Sequence, residues 1–317
     1  MDKVMNTITL SVCIPTYNRC HSLKKQLDYF KDENLSNVEV IVSDNCSTDG
    51  TIEFLQSYEK YDWLMVNIND TNIGADANIN RLLELANGKY VLFLGDDYLK
   101  VGTIDKIKGI LSCGEIDLLH IAYETYSDDG ILFSSEISKR KDTSKYYKYD
   151  VIEKMADDAI AGLISDELSH FMFMSSNIYR REKILPCKEY SFPYGTTLLY
   201  SLQALHEGKM YYLSDYLVFS DPVTSWSEKQ FYVWFEVIPN IIMTSSVFGF
   251  SESCIEQMMD GHIAQCVVYC IKRMDELRKY LKESGNKSMI TTRVVWLSIL
   301  KSIKLVKYRI HQMRDRK

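Results

Sequence analysis

The sequence predicts an α/β fold in which a mainly parallel sheet with helices on both faces is followed by a helical C-terminal region. Three observations carry this expectation. Over about the first hundred residues, short β-branched apolar runs alternate with segments of helical period, the pattern of βαβ units. Those runs are apolar almost without interruption, as strands are when their sheet is covered on both faces. Beyond about residue 228 turn signals are scarce until the ESGN of 283–286, which leaves helix as the expected state.

The elements follow in order. ITLSVCI (8–14) is the first strand, ended by Pro15, and residues 21–33 place Leu23, Leu27 and Phe30 on one helical face. VEVIVS (38–43) is the second strand, and Ser47 or Thr48 is placed to cap a helix over 49–59. WLMVNIN (63–69) is the third. Residues 76–86 gather Ile79, Leu82, Leu83 and Ala86 on a helix stopped by Gly88, and YVLFLG (90–95) is the fourth strand, followed by a helix at 103–111. Further strands are predicted at 117–123, 131–137, 171–179 and 211–219, and helices at 150–164 and 197–207. The pattern divides the chain into a sheet domain over 1–222 and a helical region over 223–317.

Composition narrows the function classes. With 317 residues, 46% of them hydrophobic and 25% charged, the chain can bury a sizeable core and has an ordinary soluble composition. A net charge of −6 carries no nucleic-acid signature. No window reaches ~18 uninterrupted apolar residues and MDKVMNTITL lacks a signal-peptide core, so neither secretion by that route nor a membrane span is expected. Eight cysteines without a CxxC pair suit a reducing, cytoplasmic compartment. The charge is unevenly spread: residues 287–317 hold nine Lys/Arg against Asp315 alone. Within 289–313, apolar residues such as Ile290, Leu297, Ile303 and Ile310 interleave with Lys301, Lys304, Lys307 and Arg309, with Trp296 suited to a headgroup region. Such a basic amphipathic helix favours peripheral contact with the anionic inner face of the cytoplasmic membrane, at about 1 kcal/mol per basic residue. Docking on its own domain or on a dimer partner is the alternative.

Ligands of open parallel sheets bind beyond the carboxyl ends of the strands. That rule brings together PTYNR (15–19), SDNCSTD (43–49) and GDDY (95–98). A buried strand that ends on Asp96 and Asp97 either caps the next helix or meets a cation. Carboxylate oxygens suit Mg²⁺ or Mn²⁺, which keep several waters and bind phosphates as well; Gly95 is expected to let the backbone turn there. Asp44 and Asn45 can read a pyrimidine edge or a ribose hydroxyl. Pro15, Thr16 and Tyr17 offer carbonyls and a ring. Gly74 opens a helix whose amides can face an anion. Arg180 and Arg181 can meet diphosphate oxygens, and Trp226 in SDPVTSW (220–226) can stack on a sugar. His262, Cys266 and Cys270 share a helix face but span about 12 Å, too far for one ion, so they are expected in the core.

Together PTYNR, SDNCSTDGT and NIG…N…LANGKYVLFLGDD resemble, in order and spacing over residues 8–98, the N-terminal half of family 2 glycosyltransferases of the GT-A fold. The resemblance implies a Rossmann-like sheet and a nucleotide-diphosphate-sugar donor, CDP-, UDP- or dTDP-linked. Pro15, Thr16, Tyr17 and Asp44, with Asn45 beside it, would hold base and ribose, and Arg19, Gly74 and Asn78 would belong to the same donor site. Asp97 would be the direct ligand of Mg²⁺ or Mn²⁺ and Asp96 its donor-side neighbour. The pattern departs at Gly95 and Tyr98, where acids are common, so the diphosphate would supply most metal ligands. The GDDY and NIGADANI phrases are closest to O-antigen sugar transferases, the subgroup that includes abequosyltransferases, which use CDP-linked dideoxyhexoses.

A second departure concerns the catalytic base. Inverting members carry an acidic pair that aligns here with Thr196 and Thr197, neither of which can take a proton. Asp166 and His170 are the nearby candidates, and a retaining mechanism in which the leaving phosphate takes the acceptor proton stays open. The implied reaction is transfer of a sugar, such as a deoxy- or dideoxyhexose, to a hydroxyl of a lipid-linked oligosaccharide in surface polysaccharide synthesis. The alternative is a non-catalytic nucleotide-sugar-binding or scaffold subunit. A nicotinamide dehydrogenase is disfavoured because no G-x-G-x-x-G follows the first strand.

Overall fold

In the computed structural model of the chain, the described residues are 8–58, 60–126, 132–135, 152–220 and 229–284. Strands β1 (Leu10–Thr16), β2 (Val38–Asp44), β3 (Leu64–Ile68) and β4 (Tyr90–Phe93) alternate with helices α1 (Cys20–Lys31), α2 (Thr51–Gln56) and α3 (Ala75–Leu85). After them come β5 (Tyr98–Leu99), α4 (Thr103–Ser112), β6 (Leu118–Tyr126), β7 (Leu132–Ser135), β8 (Ile152–Lys154), α5 (Asp157–Met172), β9 (Asn177–Arg180), the single turn α6 (Arg181–Ile184), α7 (Thr196–Leu205) and β10 (Lys209–Ser220). One mixed sheet results, in the order β3-β2-β1-β4-β9-β6-β10-β5, with β7 on β6 and β8 on β10. The expected parallel pairing holds for β3, β2, β1 and β4, and again between β6 and β10. Strand β9 runs antiparallel between β4 and β6.

Side-chain alternation explains why helices cover both faces. Leu10, Val12 and Ile14 of β1, Leu92 of β4 and Leu94 just after it enter the core shared with α1 and α4, through Leu23, Leu27, Phe30, Ile104 and Ile107. Their neighbours Cys13, Val91 and Phe93 enter the core on the other side, with Leu82 of α3, Phe171 of α5 and Leu199 of α7. Full burial of each large apolar side chain is worth about 1.5–3 kcal/mol, so these cores outweigh any surface ion pair.

The C-terminal helices are α8 (Gln230–Phe248), α9 (Glu252–Lys272) and α10 (Met274–Ser284). Val237, Ile241, Cys254 and Met258 lie in the same core as Phe93 and Val91. The boundary expected at 222 is therefore not a break in packing: the helices complete one face of the sheet. Helix α8 is long and apolar enough, by length and composition, to cross a bilayer, yet half of it is buried within the protein. Its π-turn at Val233–Val237 ends two residues before Pro239, whose nitrogen has no N–H to give the helix.

Several local expectations are corrected. Helix α2 begins after Gly50, at φ 91°, with no side-chain cap; Ser47 and Thr48 serve the loop before it. Residues 171–179 form the end of α5, a 3₁₀ turn (Met174–Ser176) and only then β9, so the apolar run was mostly a corner. The 150–164 segment opens with β8 before α5 starts at Asp157. Gly88 matters for closeness more than for stopping α3: a Cβ there would lie 2.6 Å from the Ser11 amide nitrogen. Gly95 does not occupy the left-handed region; its missing side chain makes room for Met174, whose Cε would lie 2.8 Å from a Cβ.

His262, Cys266 and Cys270 are buried, as their helical spacing predicted. The His262 Nε2–H donates to the Trp234 carbonyl at 2.7 Å, its ring stacks on Trp234, and its Nδ1 is buried without a partner. Burial pushes its pKa down to about 4. The unfolded chain therefore binds this proton first as pH falls, so stability is full above about pH 6.5 and declines toward pH 4. Urea titrations between pH 7 and 4 should show His262→Gln losing about 1–3 kcal/mol less than the wild type over that window. Equal losses would place the acid sensitivity elsewhere.

Candidate functional site

Strand β1 lies between β2 and β4, and the register pairs Thr16 with Asp44 and Cys13 with Phe93. The three loops expected at one edge therefore leave the sheet side by side. Hydrogen bonds then tie them together. The Asn45 amide donates to the Thr16 carbonyl at 2.9 Å, Asn18 N–H to Ser47 Oγ at 2.8 Å, and Cys20 N–H to Asp49 Oδ2 at 3.1 Å. Arg19 Nε donates to Asp96 Oδ2 at 3.0 Å, joining the first loop to the third. Asn18 and Cys46 take left-handed φ of 52° and 65°, the tight bends that let both loops fold back on the strand ends.

Beneath the loops lies an amide network. Asn78 accepts from Ser43 Oγ at 2.6 Å and from Asn69 at 2.8 Å, and donates to the Ser43 carbonyl at 2.8 Å. Asn45 donates to Asn72 Oδ1 at 2.8 Å and accepts from Asn69 and from Ile73 N–H. Both residues were expected to touch a ligand. Instead their amides face the protein and brace β2 against α3 and the turn at Gly74, where φ is 90° and the N–H donates to Asn72 Oδ1.

Two groups at this edge stay unsatisfied. Asp44 is fully buried; one carboxylate oxygen accepts from Ser47 N–H at 2.9 Å and the other, Oδ1, has no partner. Thr16 Oγ1 is likewise buried and unpartnered. Buried polar groups are nearly always paired, so these two atoms at adjacent strand ends are available to a ligand. Tyr17 beside them is 44% exposed, and Pro15 is partly buried.

The acidic turn is held from two directions. Gln26, buried on α1, donates through Nε2 to the carbonyls of Gly95 and Asp97. Ser175, in the 3₁₀ turn before β9, accepts from Gly95 N–H at 2.9 Å and donates to Asp97 Oδ2. Neither residue was singled out from sequence. Gln26 had a signal, a polar side chain within the Leu23–Leu27–Phe30 face; Ser175 had none, because its segment looked like strand.

No group of three His, Cys, Asp or Glu fit for a metal occurs among the described residues. Asp96 and Asp97 are a donor set of two, with Asp96 already on Arg19. They fit a hard cation that takes its remaining ligands from phosphate and water, and no cation that needs an all-protein cage.

Other expected residues lie elsewhere. Strand β9 runs down the sheet, pairing Arg180 with Tyr90, so Arg180 and Arg181 sit at the amino end of β4, the edge opposite the site. Arg180 is an anchor there, bound to Asp117 at 2.9 Å, and Arg181 N–H donates to the Lys89 carbonyl. Their expected contact with a diphosphate is corrected by the direction of β9. Asp166 and His170 fall on α5, and their side chains are outside the described residues, as are Trp226 and the 287–317 tail.

Thr196 and Thr197 are buried at the N-terminus of α7. A carboxylate reaches that point from α3: Asp76 Oδ2 accepts from Tyr194 N–H at 3.0 Å and Oδ1 from Thr196 N–H at 3.4 Å. Burial raises the Asp76 pKa, against the lowering effect of these bonds.

Residues 11–100 match the family model described as glycosyl transferase family 2. The abequosyltransferase RfbV of Salmonella typhimurium is 37% identical over 92 residues, 28% of this chain and 28% of that protein. The GalNAc(5)-diNAcBac-PP-undecaprenol β-1,3-glucosyltransferase of Campylobacter jejuni is 36% identical over 90 residues, 28% of this chain and 29% of that protein. The chain thus aligns with less than a third of either relative. Among solved structures, residues 1–349 of S. aureus TarS in complex with UDP-GlcNAc superpose with a TM-score of 0.62 at 21% identity, over 81% of this chain and 73% of that one. The Pyrobaculum calidifontis mannosyltransferase PcManGT with GDP-Man and Mn²⁺ gives 0.56 at 13% identity, over 93% and 86%. Over residues 11–100 the chain is thus similar to glycosyltransferase family 2, and its fold is GT-A.

Ser175→Ala removes the acceptor of the buried Gly95 N–H and the donor to Asp97. Urea denaturation should register a loss of about 1–3 kcal/mol, the usual cost of stranding a buried polar group. A change within about 0.5 kcal/mol, the scale of ordinary surface substitutions, would mean that the acidic turn does not depend on this contact.

Proposed function

We propose that the chain transfers a sugar from a nucleoside-diphosphate donor to a hydroxyl of a lipid-linked oligosaccharide in surface polysaccharide assembly. The observation that carries this is the pair of unpartnered buried atoms, Asp44 Oδ1 and Thr16 Oγ1, beside a turn that presents Arg19, Asp96 and Asp97. Asp44 Oδ1 can only accept, so it calls for a donor group, which an imide N–H, an exocyclic amine or a ribose hydroxyl supplies. Tyr17 stands at the same edge for the base.

The diphosphate then falls toward the third loop. The Arg19 guanidinium offers it fixed positive charge with planar donors. Asp97, oriented by Ser175, with Asp96 would hold Mg²⁺ or Mn²⁺, and the chemistry that ion supplies is neutralisation of charge on the departing diphosphate. Both carboxylates lie beyond β4, so the leaving group is placed at the carboxyl edge of the sheet.

Support for the substrate classes comes from the relatives. RfbV is an abequosyltransferase, the Campylobacter enzyme's name specifies an undecaprenyl-diphosphate acceptor, and TarS has been crystallised with UDP-GlcNAc. They support a nucleotide-linked sugar donor and a lipid-linked acceptor; a CDP-, UDP- or dTDP-linked sugar is the donor proposed here. The excess of basic over acidic residues across 287–317 suits contact with the anionic inner leaflet of the cytoplasmic membrane, and a peripheral position at that face is the location proposed with this function.

Thermal-shift measurements with CDP, UDP, dTDP and GDP, each with and without Mn²⁺, test this. A nucleoside diphosphate at about a hundred times its Kd stabilises by roughly 2.7 kcal/mol, a shift of several degrees. One of them should raise Tm, more so with Mn²⁺, and Asp97→Ala should lose the Mn²⁺-dependent part while Asp44→Asn loses the larger share. No shift with any of the four would overturn the donor assignment.

A further inference from the structure

We propose that Asp76 is the carboxylate that takes the proton from the acceptor hydroxyl, an assignment that rests on the glycosyl-transfer function above. The N-terminus of α7 holds only Thr196 and Thr197, and neither can accept a proton at neutral pH. Asp76 brings a carboxylate to that point from a different segment, with its two oxygens on the amides of Tyr194 and Thr196.

Two lines of contact place it at the donor edge. On one side, Asp76 follows the turn in which Asn72 and Ile73 bind Asn45, the neighbour of Asp44. On the other, Thr197 Oγ1 donates to the Met172 carbonyl, and the chain passes from there through Met174, packed on Gly95, to Ser175 on Asp97. Asp76 is therefore connected to the base-reading loop on one side and to the acidic turn on the other. Exposed Tyr194, at φ 65°, sits beside it at the rim.

The chemistry suits the position. A base for a sugar hydroxyl must be ionised at working pH yet hold a proton more readily than a free carboxylate. In the partly buried Asp76, burial raises the pKa above the ordinary carboxylate value while two N–H donors favour the ionised form. In the transfer step the acceptor oxygen forms its bond to the anomeric carbon, the bond from that carbon to the diphosphate oxygen breaks, and the diphosphate leaves with the electron pair. The hydroxyl proton passes to Asp76. A base on the acceptor side, apart from the diphosphate, inverts the anomeric configuration.

A purely structural part for Asp76, as a cap of α7, is separable from this one. Asparagine is a good helix cap and its one carbonyl oxygen can keep the shorter bond from Tyr194 N–H, but it cannot take the proton. The test uses the full chain, UDP-, CDP- and dTDP-linked sugars, and a synthetic polyprenyl-diphosphate oligosaccharide, with Tm and nucleoside-diphosphate binding measured alongside. Asp76→Asn should stay folded, with a small drop in Tm, and keep wild-type nucleotide affinity, lose roughly 10²–10⁴-fold in kcat, and lose the limb of the pH profile on which wild-type kcat rises through the Asp76 pKa; Asp76→Glu should recover part of the rate. Transfer by Asp76→Asn within a few-fold of wild type, or an unchanged acid limb, overturns the assignment. Should the wild type bind a nucleoside diphosphate and transfer nothing to any acceptor, the enzymatic function falls and this assignment with it.

Discussion

Parallel pairing of β1 between β2 and β4 is the constraint on which the site depends. It places Thr16, Asp44 and the Gly95–Asp97 turn on one edge because parallel strands end in the same direction. The apolar alternation of β1 and β4 fixes the register, since a slip by one residue would carry Leu10, Val12 and Ile14 to the opposite face. The ion pair between Arg19 and Asp96, with both side chains about half exposed, contributes under about 1 kcal/mol. It orients charge; the cores on the two faces supply the stability.

Polar groups at this edge divide into two kinds. Ser43, Asn45, Asn67, Asn69, Asn72 and Asn78 bond to one another and to nearby backbone. Ser43, Asn45 and Asn78 of this network are buried, and a satisfied network of this kind makes its surroundings rigid. Asp44 Oδ1 and Thr16 Oγ1 stand on that frame without partners. The same division holds at the third loop, where Gln26 and Ser175 fix the backbone and one oxygen of Asp97. A site preorganised in this way loses little ordering entropy when a ligand arrives.

The sequence made the first half of the fold legible because near-continuous apolar strands and helical periods alternate without interruption there. Proximity of the three loops followed from that alternation alone. The direction of β9 did not, because nothing in FMFMSSNIY distinguishes a corner followed by a short antiparallel strand from one long strand. Arg180 and Arg181 were accordingly assigned to the wrong edge. Asn45 and Asn78 were misjudged for a related reason: an asparagine that meets a ligand and one that braces a loop have the same local pattern, and only the neighbours distinguish them. Asp76 was read only as part of a helix start, since its approach to α7 joins residues 118 and 120 positions apart. Membership of the C-terminal helices in the sheet's own core was hidden by the change from mixed to purely helical period near 228.

A crystal structure of the full chain with a bound nucleoside diphosphate and Mn²⁺ tests the central claim most directly. The account predicts a donor group of the nucleoside within hydrogen-bonding distance of Asp44 Oδ1 and Thr16 Oγ1, with the manganese anomalous peak on Asp97 and the diphosphate beside Arg19. A nucleotide seated away from the β1–β2 edge, leaving both atoms without a partner, would contradict it.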